Sequence, residues 1–493
     1  MSRPQSDTIS GKRVAVVTVP FTFTDKVPRE LGQVSIETLR FISYLKACRN
    51  QVVFVNLRTA EKFLWKTRRA GRTSTAKIKM GVFSRSQEFL RAELSRGAVP
   101  QEILLWCDFS FFPYTFDLDV IRSVREICRD VCPGSRVRVG GVFWDIFSAQ
   151  AAAEGFEVFS AGEGAADAYP PDFSVVSGGA YGLFQLAKGC SNNCSFCVAG
   201  RSCPRTFNNA GTLRYMRGLA EGGIREFWNW DQNVMLRPAH FEDFVDRYLE
   251  SGLDATLHFS LGFQPNLLTA RIVKKLGRLR LGTLAVPFET GTSESCRLAG
   301  KPYTIISPVK RVSEINRLAH KSIERLICPF IIGYPHDDFR SIFRIYLSIL
   351  RLRSSPLPFP LCLFPNTRVY AENAGLLQGK NISELHGQLW PLVPDRKVPQ
   401  YRKLLRFLAI DSLARAKDNL GLLSGEMLAA FREELRINGA FVEMCLNAGS
   451  ESLAELERVE KNLFHGASRG RLARPAGERG GARSGGFSPP PGA

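Results

Sequence analysis

Short, largely apolar runs of strand length recur along this chain, alternating with stretches of helical periodicity. This alternation restricts the fold more than any other feature. In the first third the runs are RVAVVTV at 13–19, QVVFVNL at 51–57, EILLWC at 102–107, RVRV at 136–139 and FEVFSA at 156–161. Amphipathic helices are predicted at 39–47 and 120–128. A strand that is apolar on both faces must be covered on both, which parallel sheets flanked by helices achieve. Ligands of such sheets bind beyond the carboxyl ends of the strands. Gly140-Gly141 and Gly162-Glu163-Gly164 fall at those ends, where glycine lets a backbone approach a ligand closely.

Residues 11–165 therefore read as a Rossmann-like, doubly wound parallel α/β domain behind a loose leader at 1–10. A linker rich in Pro and Gly follows at 166–182. A second alternating series then predicts strands at 183–187, 224–230, 255–260, 281–286, 326–332 and 360–364. Six βα units across 183–375 suit a partial (β/α)6 barrel. Residues 376–464 read as helical, and 465–493 as a disordered basic tail of low complexity.

Just after the first strand of the second series come Cys190, Cys194 and Cys197, in the spacing Cys-x3-Cys-x2-Cys. Three thiolates this close cannot all pair as disulfides, but they can converge on one soft metal centre. A [4Fe–4S] cluster with four thiolates has every iron capped; with three, one iron keeps an open position. The alternatives are a small zinc site or inert buried thiols. Zinc prefers four ligands in two pairs, and no Cys or His pair follows to complete the set.

The run Gly189-Cys190-Ser-Asn-Asn-Cys194-Ser-Phe196-Cys197 resembles the signature of the radical S-adenosylmethionine (radical SAM) enzymes. The resemblance implies a [4Fe–4S] cluster whose open iron chelates SAM and cleaves it to a 5′-deoxyadenosyl radical. Asn229-Trp230-Asp231-Gln232-Asn233 is similar to the family's acidic turn, which implies that Asp231 helps hold the methionine part of SAM. Phe288-Glu289-Thr290-Gly291 looks like its Glu-Ser-Gly step, with Glu289 on the ribose or amino group. Ile331-Ile332-Gly333-Tyr334-Pro335 resembles the Gly-x-Pro step near adenine, which implicates Gly333, and Phe364-Pro365-Asn366-Thr367 resembles the last strand-end element. The Phe196 position belongs to the same loop. His336 and Tyr334 are candidate catalytic residues, His336 as a proton donor or acceptor, and Tyr303 is a candidate pocket residue.

The glycine-ended N-terminal domain, with its Pro-Pro-Asp linker, looks like that of the cobalamin-binding members. This resemblance implies cobalamin held against Gly140, Gly141, Gly162, Glu163 and Gly164. Many cobalamin domains offer cobalt a histidine from below. The first histidine of this chain is His240, so the N-terminal domain supplies none. The resemblance further implies C-methylation of an unactivated carbon in a small-molecule substrate, with a flavodoxin or ferredoxin as electron donor. Rearrangement or cyclisation without methyl transfer, with or without cobalamin, is the enzymatic alternative. A non-catalytic iron–sulfur redox sensor or nucleic-acid binder is the alternative of another class.

The formal net charge of +19 leaves room for an anionic partner. The basic stretches lack the interleaved aromatics of a base-stacking surface, however, so nucleic acid is not expected. No run of about 18 apolar residues predicts a membrane span, and no signal-peptide pattern opens the chain. A cytoplasmic protein is expected, its twelve cysteines reduced or ligating.

Overall fold

The computed structural model describes residues 7–19, 34–58, 87–109, 116–162, 164–176, 181–201, 203–260, 262–291, 293–337 and, with gaps, 341–408. The chain divides into Met1–Leu423 and Ser424–Ala493; the second unit, with the expected basic tail, lies outside the described residues.

The first sheet holds β1 (Arg13–Thr18), β2 (Gln51–Asn56), β3 (Glu102–Trp106) and β4 (Arg136–Gly140), all parallel, in the order β2-β1-β3-β4. The chain reverses its winding between β1 and β3, which places the topological switch point there. Val14 to Val17 of β1 and Ile103 to Leu105 of β3 are wholly buried, as their unbroken apolar sequences require. The fifth predicted strand, 156–161, shrinks to a single parallel bridge between Val139 and Val158. Two bonds hold it: Val139 donates to the Glu157 carbonyl and Phe159 to the Val139 carbonyl.

Helix α1 (Ile36–Ala47) begins three residues before its predicted start, because the Ser35 hydroxyl caps the Thr38 amide. Helices α2 (Gln87–Leu94), α3 (Leu118–Val131), α4 (Val142–Ile146) and α5 (Ser148–Ala153) complete this part. Part of the expected loose leader is ordered. Ile9 is buried in the core, the Asp7 amide bonds the Ser160 carbonyl, and the Asp7 carboxylate pairs with Arg138. Apolar burial and a buried arginine's need for charge together fix these residues.

The second sheet contains β5 (Gly182–Phe184), β8 (Glu226–Asn229), β9 (Thr256–Phe259), β10 (Leu281–Ala285), β11 (Ile323–Ile332) and β12 (Ser355–Pro360). Its strands are parallel and follow chain order, β12-β11-β10-β9-β8-β5, the curl of a partial barrel. Between β5 and β8 lies a small antiparallel ribbon of β6 (Ala187–Lys188) and β7 (Arg205–Thr206). Helices α6 (Asn209–Glu221), α7 (Pro238–Glu250), α8 (Ala270–Leu276), α9 (Ser293–Leu298) and α10 (Ile306–Leu318) connect the strands.

The last strand forms at Ser355–Pro360 rather than at the predicted 360–364. The region read as helical from 376 onward opens on the end of a short helix, Ala374–Leu377, passes through single 3-10 turns at Ile382–Leu385, Gly387–Leu389 and Asp395–Lys397, and is helical again at the described positions between 398 and 408. Most of it beyond 401 lies outside the described residues.

Candidate active site

A cavity of about 1070 Å³ lies where the carboxyl ends of both sheets meet. Cys190, Cys194, Phe196 and Cys197 line one side; Gly141, Gly162 and Gly164 line another.

The cysteine loop is anchored at its base and along its length. The β6–β7 ribbon closes its two ends. Gly189, at φ 77°, donates its amide to the Gln232 side chain over 2.9 Å. In mid-loop the Ser195 amide donates to the Ala299 carbonyl at 2.8 Å, and the Ser195 carbonyl accepts from the Val369 amide at 2.9 Å. Gln264 accepts from both Asn192 (2.8 Å) and Asn233 (3.1 Å), which ties the loop to the ends of β8 and β9.

Donors also point at the sulfurs. The Asn192 amide lies 3.4 Å and the Asn233 side-chain nitrogen 3.5 Å from Cys190 Sγ, and the Ala199 amide lies 3.4 Å from Cys197 Sγ. Such N–H···S bonds stabilise charge on thiolates that bind a cluster. Burial pushes the Cys197 thiol up to about 12, and also raises Cys194, so metal has to displace protons there. Among the described residues no three His, Cys, Asp or Glu side chains converge as a single metal ion demands. A cubane is less exacting, because its three thiolates each bind a different iron. The donor set thus fits an iron–sulfur cluster with three protein ligands.

Glu289 lines the cavity from the loop after β10. Its φ of 66° is left-handed, a costly conformation for a residue with a side chain. Bonds from the Glu289 amide to the Pro329 carbonyl and from the Ile331 amide to the Glu289 carbonyl hold it there. Its carboxylate meets Lys301 Nζ at 2.7 Å, with both side chains nearly buried. Lys301 and Tyr303 line the same wall. Lys301 and Gln264 went unread in the sequence. No local motif marks either, and only the fold brings them to the cysteine loop.

Three expected site residues stand away from the cavity wall. Asp231 is fully buried and does not line the cavity. Its carboxylate accepts the Leu186 amide at 2.8 Å and so braces the turn after β5, while Gln232 and Asn233 face the cavity. Gly333, at φ 101°, packs under the Trp390 ring, and its amide is taken by Asp337 at 2.8 Å; Ile331 lines the cavity instead. His336 is exposed and stacks on Tyr334, outside the cavity wall. Tyr334 is buried behind Phe196, with ring centroids 6.1 Å apart.

At the first sheet, Gly140 is a packing glycine, since a Cβ there would lie 2.7 Å from the Trp106 ring. Gly141, at φ 98°, turns the chain into α4, and a Cβ would sit 2.8 Å from Asp108 Oδ1. Gly162 and Gly164 also have positive φ and line the cavity; Glu163 lies outside the described residues. Asp108 joins these pieces. One carboxylate oxygen accepts from Ser35, Thr38 and Trp106 at 2.8–2.9 Å, and the other accepts from the Val142 amide at 2.9 Å. A Cβ at Gly141 or Gly164 would run into Asp108 or Arg205, so these glycines bring bare backbone to the cavity wall, which fits the flat face of a corrinoid. No histidine lines the cavity among the described residues.

Between shelf and loop lies Glu37, whose carboxyl burial pushes up to about 7. Nearby, Asp167 pairs with Lys188 at 2.8 Å and Arg205 at 3.0 Å.

No protein-family model and no curated protein matches the sequence. Solved structures do match. The radical SAM methyltransferase TsrM from Kitasatospora setae, with tryptophan substrate and aza-SAM bound, superposes with a TM-score of 0.54 at 14% identity, over 75% of this chain and 77% of that one. The cobalamin-dependent SAM radical enzyme OxsB, with aqua-cobalamin bound, gives a TM-score of 0.58 at 10% identity, over 93% of this chain and 80% of that one. This chain has the fold of the cobalamin-dependent radical SAM enzymes.

Proposed function

We propose that this protein is a cobalamin-dependent radical SAM enzyme that methylates an unactivated carbon of a small molecule. One observation carries the reading: three cysteines of a single loop open onto the same cavity as the glycine shelf of a separate parallel sheet. Cys190, Cys194 and Cys197 would hold a [4Fe–4S] cluster, and Gly141, Gly162 and Gly164 would seat a corrinoid. Glu289 and the Gln232–Asn233 edge would meet SAM. When bound, the cluster and SAM supply a radical able to take hydrogen from carbon, and the corrinoid supplies a methyl carrier.

The residues of the chain bind, orient and exclude water. Phe196, Val198, Ile331 and Phe364 give the cavity apolar walls, which shield a reactive carbon centre from solvent. Glu37, pushed up to about 7, can hold or release a proton at its carboxyl oxygen near neutral pH. TsrM, described as a methyltransferase, supports methyl transfer. OxsB, described as a cobalamin-dependent S-adenosylmethionine radical enzyme with no methyl transfer named, matches a larger share of this chain; radical chemistry without methyl transfer is the second reading.

Anaerobic incubation of reconstituted protein with SAM and a low-potential reductant tests both. Formation of 5′-deoxyadenosine with S-adenosylhomocysteine is the expected outcome, alongside corrinoid absorption bands. Deoxyadenosine alone would select the second reading. Neither product from a cluster-loaded protein would refute both.

A further inference from the structure

We propose that Lys301 sets the reduction potential of the iron–sulfur cluster and that Glu289 opposes it, the two acting as an antagonistic charge pair. The proposal rests on the reading that the three-cysteine loop holds such a cluster. The segment carrying Lys301 is bolted to that loop. The Ala299 carbonyl accepts the Ser195 amide at 2.8 Å, and a Cβ on Gly300 would lie 2.8 Å from the Asn193 carbonyl. The Lys301 amide is itself held by the Cys296 carbonyl at 2.9 Å. Its ammonium lies 4.9 Å from the centroid of the Phe196 ring, in the sequence step between Cys194 and Cys197, and 5.8 Å from that of Tyr303. Its charge is also felt at the Cys194 side chain. Its one carboxylate partner in this wall is Glu289, 2.7 Å away.

The ion pair with Glu289, in a nearly buried wall, places the Lys301 ammonium beside the cysteine loop with a carboxylate behind it. Adding one electron to a cluster makes it more negative without making or breaking a bond. A cation beside the cluster loop favours that reduced state, and a carboxylate behind the cation disfavours it. Both side chains are nearly buried, so water and salt screen each charge less than they would at the surface.

Removing one partner should thus shift the potential opposite to removing the other. A pair that merely braced the loop would not produce opposite signs. The experiment is a mediated dithionite titration of reconstituted protein without SAM, read by EPR of the reduced cluster, with iron and sulfide measured for each variant. Lys301→Met is expected to lower the reduction equilibrium constant roughly tenfold, equal to about 59 mV for one electron. Glu289→Gln is expected to raise it, and Lys301→Arg to stay within about threefold of wild type. Should Lys301→Met fail to fold or load, Glu289→Gln and Lys301→Arg still decide. A Glu289→Gln potential that is unchanged or lower overturns the proposal, as does a same-sign shift in both removals. A wild-type protein with no reducible cluster would instead overturn the parent reading.

Discussion

Asp231 is buried and makes no ion pair among the described residues, and its thermodynamic signature follows. Burial pushes its carboxyl up from 3.8 to about 7, although Leu186 and neighbouring donors act the other way. The folded protein then binds this proton more tightly than the unfolded chain. The cost is absent in acid, grows as pH rises from about 4 to 7, and stays constant above. Asp231→Asn removes the charge and keeps an acceptor for Leu186. In urea melts, its stability relative to wild type should improve by about 1–3 kcal/mol between pH 5 and pH 8. A difference that does not change with pH would show that the carboxylate pays no such penalty. SAM affinity should be unchanged, because this side chain does not reach the cavity. The cysteines behave differently. Alanine at Cys190, Cys194 or Cys197 should each abolish cluster loading, measured as iron per chain. Alanine at Cys203, exposed and only six residues further on, should leave it intact. Equal loss at all four positions would mean that the loop merely needs thiols to fold.

Among the elements, the strands were the legible part. A parallel strand buried on both faces has to be apolar throughout, so β1, β3 and β10 stand out in the sequence. The last strand does not, and its residues explain why. Ser355–Pro360 reads SPLPFP, with proline at alternate positions. An edge strand tolerates this, since β12 pairs only with β11 and the missing amides face away from it. The β6–β7 ribbon was hidden for another reason: two residues per strand carry no periodicity. The cysteines were legible because their spacing is local. Lys301 was not, because its partnership with Glu289 and Phe196 exists only after the sheet curls. The β4–α4 turn offers a test at this scale. Gly141→Ala would place a methyl group 2.8 Å from both Asp108 Oδ1 and the Cys107 carbonyl, at a φ of 98°. The strain is on the order of 1–3 kcal/mol, concentrated at the shelf. Corrinoid bound per chain should fall while iron content stays at the wild-type level. Unaltered corrinoid uptake would remove this turn from the proposed cofactor seat.

At the scale of the whole molecule, the sequence suggests two domains joined by a linker, and one apolar cluster ties the first sheet to the segment that follows the second. A single apolar cluster runs from Val17, Leu105 and Phe143 of the first sheet region to Leu363, Phe364 and Leu385 beyond the second sheet. Phe364 sits at the join. It is 1% exposed, and its ring meets Phe109 at 5.6 Å and Phe147 at 6.1 Å, both edge-on. Nearby, the Leu118 amide at the start of α3 donates to the Ser383 hydroxyl at 3.0 Å. A cavity built from both sheets can keep its geometry only if the sheets cannot part, and this shared core is what resists their parting. Truncating Phe364 to alanine should cost about 3–5 kcal/mol, the range for a large buried aromatic. The loss should be felt by both sheets together. Wild type should unfold in one calorimetric transition with matching van't Hoff enthalpy, and Phe364→Ala should lower that transition without splitting it. Tryptophan fluorescence reports on each side, since Trp106 and Trp144 lie in the first part and Trp228 and Trp230 in the second. Two separated transitions in wild type, or a variant in which only one part is weakened, would mean that the cavity walls are independent domains pressed together, and that something other than this core sets the distance between shelf and loop.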